Sequence, residues 1–293
     1  ETRELLGTFI TIKLIDTETK HAKGAIEDAF SEIKRLSLIL SRHDPASELA
    51  ILNTTGTIAN ASPELVGVVQ KALAFCDLTR GAFDVSVLPL LTLFANSFAD
   101  GGEAPSEKSV DAALEKVGSR FIELNDRTIS LAAPGMGLTL DGIAKGYVID
   151  QAAALLRARG LTQVLVEAGG DMALRGMRED GEPWKIGVTH PRALAGYFEV
   201  LQTSNDCLAT SGDYENAFTP DYSWHHIIDP RLGHSPREVA SATVLAPDTT
   251  YADALATAAV VMGISESLAL FETLPGVQAL LINKEMKSFA TSG

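Results

Sequence analysis

Cysteine is scarce in this chain of 293 residues: only Cys76 and Cys207 occur, far apart and without ligand-like neighbours. That excludes a disulfide framework or a zinc cluster and leaves two small buried hydrophobes. Positive charge is also short, with 24 Lys and Arg against 38 Asp and Glu and a formal net charge of −14. Such a balance argues against a nucleic-acid role that depends on neutralising phosphates. No apolar run approaches the roughly 20 residues needed to span a bilayer. The six histidines include no H-E-x-x-H, although His225 and His226 are adjacent. Internal repeats and low-complexity linkers are absent. No export signal opens the chain at E-T-R-E-L-L-G-T, an opening that fits removal of a leader and leaves the compartment undecided.

What is present is an ample core, with 46% hydrophobic residues. The run L-L-G-T-F-I-T-I-K-L-I alternates as one strand, and 18–40 reads as a long amphipathic helix with Ile26, Phe30, Ile33 and Leu40 at helical spacing. Pro63 at its start and Gly81 past its end bracket a second helix over 63–79. F-I-E-L-N-D-R-T-I-S-L at 121–131 reads as a hairpin turning at Asn-Asp. A helix over 144–159 leads into the strand Q-V-L-V-E-A, and the tail from Ala240 reads strand, helix, helix, strand. The pattern predicts an α+β fold: one two-lobed domain over 1–293, with mixed β-sheets flanked by helices.

Five stretches set polar residues inside apolar sequence. In T-L-D-G-I-A-K-G-Y-V-I-D (139–150), Gly142 and Gly146 allow close backbone approach and Lys145 supplies a cation before a helix. That is either a phosphate-receiving helix start or an ordinary strand-to-helix turn; it lacks P-loop spacing. V-E-A-G-G-D (166–171) reads as a glycine turn between strands. In A-T-S-G-D-Y-E-N (209–216), Asp213 is a turn former or a site carboxylate. In H-H-I-I-D-P-R-L-G (225–233), His226 heads a short strand ending at Asp229-Pro230 and is either structural or a base. Finally, Asp253 and Thr257 in D-A-L-A-T share one helix face in a run otherwise apolar. Their hard oxygens suit Mg²⁺, which takes few protein ligands; the alternative is that Asp253 caps a helix beginning near Ala254 and Thr257 bonds back to the backbone.

Taken together and in order, L-L-G-T-F, S-R-H-D-P-A-S-E-L-A-I-L-N, G-A-F-D-V-S-V-L-P-L, L-D-G-I-A-K-G-Y-V-I-D, E-A-G-G-D, T-S-G-D-Y-E, H-H-I-I-D-P-R-L-G and A-D-A-L-A-T-A resemble the ApbE family, the FAD:protein FMN transferases. The motifs run from Leu5 to Ala258. The resemblance implies a cleft between lobes that binds FAD, with Mg²⁺ on its pyrophosphate. It implies transfer of the FMN half to a Thr or Ser hydroxyl of a target redox protein, with release of AMP. It also implies work on the periplasmic side, free or anchored to the inner membrane.

By the same resemblance Asp253, Thr257 and the Gly142 carbonyl are the metal ligands, and His226 deprotonates the acceptor hydroxyl. Lys145, Thr139 and Ser211 hold the phosphates and ribitol of FAD. The resemblance also makes Leu6, His43, Asp84, Val85, Ser86, Gly169, Gly170 and Ile228 cofactor contacts. Four positions depart from the family: His43 and Phe94 stand where larger aromatics are common, Thr139 where an acidic residue is usual, and Asp141 where glycine is commoner. An imidazole at His43 is a smaller stacking platform. The same residues would serve an FAD pyrophosphatase, in which water replaces the acceptor, and a non-catalytic FAD carrier is a third reading.

Overall fold

The opening alternation folds as two strands, not one. In a computed structural model describing residues 1–15, 19–193 and 195–292, Leu6 and Gly7 take φ of +56° and +70°. They reverse the chain between β1 (Thr2–Leu5) and β2 (Thr8–Leu14), whose pairing closes at Leu5↔Thr8. A left-handed leucine is uncommon, and the glycine after it makes the tight turn attainable. The helix read over 18–40 is α1 (Thr19–Leu40), Glu18 lying outside the described residues. Next come α2 (Glu48–Thr55), β3 (Thr57–Ile58) and α3 (Pro63–Leu78), the last capped by Ser62 and followed by Gly81 at φ +81°.

Helices α4 (Leu88–Phe98) and α5 (Glu107–Leu114) precede the hairpin β4 (Ile122–Asn125) and β5 (Thr128–Leu131). Its turn falls at Asp126 and Arg127, one residue later than Asn-Asp, because Asp126 is the residue with positive φ. Then follow α6 (Ala144–Ala158), β6 (Val164–Ala168), β7 (Asp171–Arg175), β8 (Trp184–Thr189), β9 (Tyr197–Thr203) and β10 (Cys207–Gly212). The chain closes with β11 (Val239–Ala246), α7 (Thr249–Met262), α8 (Ile264–Phe271), β12 (Gln278–Asn283) and β13 (Ser288–Ala290).

Eight strands form the main sheet in the order β1-β2-β6-β7-β10-β11-β12-β13; β3-β5-β4 and β8-β9 form two smaller sheets. Each pairing is antiparallel, where mixed sheets were expected. Short turns join many of the neighbours and can only give antiparallel pairs, and the β11–β12 connection carries two helices in place of a single crossover helix.

One apolar core runs continuously from Ile10 to Leu281. A second, smaller cluster holds Leu90, Phe94, Val110, Ala113, Val117 and Ile228, with Phe98, Phe218 and Trp224 packed on it. Ile227 belongs to the first core and Ile228 to the second. Val85 and Val87 divide the same way. The segments just after His226 and around Ser86 therefore bridge the two lobes. The ribbon β8–β9 covers the outer face of the main sheet through Trp184 and Ile186 on Leu165, Leu174 and Leu208.

Candidate active site

Helices α6 and α7 hold each other by their starts. The first N–H groups of a helix have no partner within it and need an external acceptor. Asp150 of α6 accepts from Thr249 N and Thr250 N, both at 2.8 Å, and from the Thr250 hydroxyl at 2.5 Å. In return Asp253 of α7 accepts the Gly146 N–H of α6 at 3.0 Å. A Cβ at Gly146 would stand 2.4 Å from the Thr249 carbonyl oxygen, so only glycine lets the two helices approach this closely. Asp253 is not a cap of its own helix. That role belongs to Asp248, whose Oδ1 accepts Tyr251 N at 2.8 Å. Asp253 lies one turn in and is 3% exposed.

Around Asp253 the charges are crowded. Lys145, in the first turn of α6, pairs with Asp171 at the start of β7. Burial works against the Lys145 ammonium, but Asp171 and then Asp253 outweigh it and keep the lysine protonated well above neutrality. Burial, and then the charge of Asp171, push the Asp253 carboxyl up to about 7. Asp171 Oδ1 is buried without a hydrogen-bond partner. The pocket thus holds more carboxylate than one lysine balances.

Thr257 stands one turn beyond Asp253, and its hydroxyl lies 3.2 Å from that of Ser211 on β10. Gly142 closes on it: a Cβ there would meet Thr257 Oγ1 at 2.9 Å and Phe83 Cε2 at 3.3 Å. No group of three or more His, Cys, Asp or Glu able to hold a metal exists among the described residues. What comes together instead is the Asp253 carboxylate, the Thr257 hydroxyl one turn away with Gly142 against it, and the unpartnered buried oxygen of Asp171, whose charge acts on Asp253. Hard oxygens in small number, with excess negative charge, fit Mg²⁺.

His226 is not in a strand. Residues 226–229 are a loop that follows the isolated bridge pair Ala217↔His225, and at its end Asp229 turns the chain by accepting Arg231 N at 2.8 Å and the Arg231 guanidinium. The His226 N–H donates to the Asn216 carbonyl at 3.0 Å, and its buried Nδ1 has no partner. Burial holds its pKa below the ordinary value, opposed in part by Asp141 and Asp213, while Lys145 adds to the lowering. The ring is therefore neutral at neutral pH, the state a base requires.

His225 differs. It is fully buried, and its Nε2–H donates to the Pro236 carbonyl at 3.0 Å. Burial lowers its pKa from 6.5 to about 4. The folded value lies below the unfolded one, so the neutral ring contributes stability in full above about pH 6.5. That contribution, roughly 3 kcal/mol, is lost as pH falls through the folded value. Thermal midpoints measured between pH 4 and 7 should fall more steeply for the native chain than for His225→Gln, which keeps a donor and does not titrate. Equal slopes would remove His225 from the acid response.

Several expected cofactor contacts have other duties. Asp84 caps the short turn 85–87, accepting Ser86 N at 2.9 Å and Ser86 Oγ at 2.7 Å, and takes Ser119 N on its other oxygen. Ser86 is fully buried and accepts Gly118 N at 2.7 Å. These side chains shape the loop and do not line a cleft; the Val85 carbonyl accepts Thr139 N at 2.8 Å and ties that loop to the Gly142 segment. Ile228 and Phe94 are packed in the second core, Phe94 lying 5.2 Å from Trp224, so neither presents a face to a ligand. The buried Thr139 accepts Asp141 N at 3.2 Å. His43 is exposed, on the loop whose Arg42 pairs with Asp141. Leu6, Gly169 and Gly170 come together at one end of the sheet: a Cβ on Gly169 would meet Thr8 Oγ1 at 3.0 Å. The residues missed in sequence were Asp171 and Asp150, although both stand inside quoted motifs, at the ends of E-A-G-G-D and G-Y-V-I-D. A cavity of about 550 Å³ lies to one side, between α4, α5 and 135–137, and none of the candidate site residues lines it.

An antiparallel α+β core that gathers buried carboxylates, two hydroxyls and a lysine at a helix start can hold a cation beside an anion. The chain belongs to the ApbE family, whose model matches residues 6–281. It is 30% identical to the FAD:protein FMN transferase of Treponema pallidum over 99% of this chain and 85% of that protein. It is likewise 30% identical to the enzyme of the same name from Vibrio cholerae over 98% and 89%. Among solved structures, the ApbE protein of Thermotoga maritima superposes with a TM-score of 0.90 at 30% identity, covering 100% of this chain and 96% of that one. The flavin transferase ApbE of Vibrio cholerae superposes at 0.84 with 29% identity and the same coverage.

Proposed function

We propose that this chain is an FAD:protein FMN transferase that works with Mg²⁺ and modifies a Thr or Ser of a target redox protein. The observation that carries the reading is the place of Asp253: inside α7 and away from its cap, one turn from Thr257, bonded to Gly146 N and in the field of the Lys145–Asp171 pair. Asp253, Thr257 and the Gly142 carbonyl would hold the metal, which supplies charge neutralisation at the diphosphate when bound. Lys145 adds a fixed positive charge at the start of α6, where the helix dipole also favours an anion. The acceptor hydroxyl oxygen bonds to the phosphorus on the FMN side of FAD, and that phosphorus releases the bridging oxygen with AMP. His226 takes the hydroxyl proton. Neutralisation and in-line positioning supply most of the rate in such a transfer.

The test is a mass spectrum after mixing the chain with FAD, Mg²⁺ and an acceptor peptide of the form Asp-x-x-Thr, with AMP quantified. A peptide heavier by one FMN residue, equal AMP, and no product in EDTA support the reading. AMP with free FMN only, also from the full-length acceptor protein, would mark a pyrophosphatase, and bound FAD without turnover a carrier. His226→Ala should slow transfer by about 10² to 10⁴ with FAD affinity nearly unchanged. The native rate should have its acid limb below pH 6.5, the ordinary histidine value, because burial lowers the His226 pKa. Unchanged transfer in the variant would place the base elsewhere. The same reading carries a periplasmic location, which fractionation of the native host checks; no described helix is long and apolar enough to cross a membrane.

A further inference from the structure

We propose that Arg42 is a ligand of the FAD diphosphate, held in reserve on Asp141 until the substrate arrives. The inference rests on the FAD-binding reading above.

Three arginine–carboxylate pairs use carboxylates of the motifs quoted above, Asp141, Asp213 and Asp229, and they are not alike. Arg192 forks onto Asp213 with two bonds of 2.7 Å, and Asp213 is fully buried. Arg231 forks onto Asp229 at 2.9 and 2.8 Å, with Asp229 nearly buried. Arg42 reaches Asp141 through Nε, at 2.8 Å, and the Asp141 side chain is 49% exposed. The first two are fixed parts of the fold. Arg42 is as covered as Arg192, but its carboxylate is open to solvent and held through Nε in place of a two-pronged fork, so this pair exchanges partners more readily than the other two.

Its place gives it a use. Asp141 immediately precedes Gly142, and its charge acts on both Asp253 and His226. The guanidinium therefore stands at the rim of the site, on the loop that also carries His43. Inside, Asp171, Asp253 and Glu215 act on the single cation Lys145, and Asp141 stands at the rim on Arg42, so a diphosphate arriving there meets a surplus of carboxylate. One metal ion does not remove all of it. A guanidinium that leaves a carboxylate for a phosphate keeps its charge paired and gains a planar two-pronged contact. Asp141 then acts as the competitor that sets how tightly the diphosphate is held.

Affinities measured by flavin fluorescence and by calorimetry test this without turnover. The probes are FAD, ADP (diphosphate without flavin) and riboflavin (flavin without phosphate), with native chain, Arg42→Ala, Arg42→Lys, Asp141→Asn and the double variant. Arg42→Ala should weaken FAD and ADP about tenfold or more and leave riboflavin unchanged, with Arg42→Lys recovering part of the loss. Asp141→Asn should tighten FAD and ADP about two- to fivefold, and only while Arg42 is present. An equal loss on riboflavin, or weakening by Asp141→Asn, would make the pair a loop clamp and overturn the proposal. So would ADP affinity indifferent to Arg42. A native chain that binds no FAD would instead overturn the functional reading on which the proposal stands.

Discussion

Asp253→Asn should eliminate Mg²⁺-dependent flavin transfer while the protein stays folded. Asparagine is the informative replacement because Asp253 is buried and already accepts the Gly146 N–H. An alanine would leave that helix-start donor unpaired, at a cost of about 1–3 kcal/mol, and confuse lost chemistry with lost structure. The amide oxygen of asparagine keeps the bond and removes the charge. The loss of rate should exceed the roughly 10–100-fold typical of removing an outer partner of a metal ligand. Stability should hold or rise, because the carboxylate that is pushed up to about 7 by burial and by Asp171 is gone. Magnesium titration of AMP release, beside a thermal melt in EDTA, reads both effects. Substantial transfer by the variant would end the ligand assignment, and a large fall in the melt would make Asp253 a structural cap for α6.

Gly146→Ala should destabilise the chain by about 2 kcal/mol or more and abolish activity with it. Adding a methyl inside a helix ordinarily stabilises it by up to about 1 kcal/mol. Here the Cβ would meet backbone, the Thr249 carbonyl oxygen at 2.4 Å and Thr250 Cα at 2.9 Å. That backbone is held by Asp150 and cannot retreat without breaking the first turn of α7. Overpacking against fixed atoms costs about 1–3 kcal/mol and occasionally more. The control is Gly24→Ala on the exposed side of α1, where nothing lies within 4 Å of the added atom. It should stabilise. Opposite shifts of the two melting points are the expected result; a neutral Gly146→Ala would show that α6 and α7 slide apart easily.

Legibility varied with how local the cause was. Helix α3 was readable because Pro63 and Gly81 act within a few residues of the ends they set. The two-strand start was missed because the alternation of L-L-G-T-F-I-T-I continues through a turn that depends on one leucine adopting positive φ. Antiparallel pairing throughout was not readable, since strand direction depends on how long connections return to the sheet. The motif G-A-F-D-V-S pointed to cofactor contacts, yet Asp84 and Ser86 turned inward to hold Gly118 and Ser119, more than 30 positions away.

The sequence by itself determined the α+β character, the family and the set of residues able to do chemistry, because periodicity, caps and motifs are local and ordered along the chain. It posed the question of an aspartate in an apolar helix without answering it, since capping and ligation need the same residue at neighbouring positions. Only the tertiary structure decided that Asp248 is the cap. It also decided that α6 and α7 exchange carboxylates, that Asp171 joins the site, and that Ile228 and Phe94 do not. The exchange between α6 and α7 and the entry of Asp171 depend on contacts between residues 26 to 107 positions apart, whose strength comes from burial and mutual charge. Neither is a property of any segment alone.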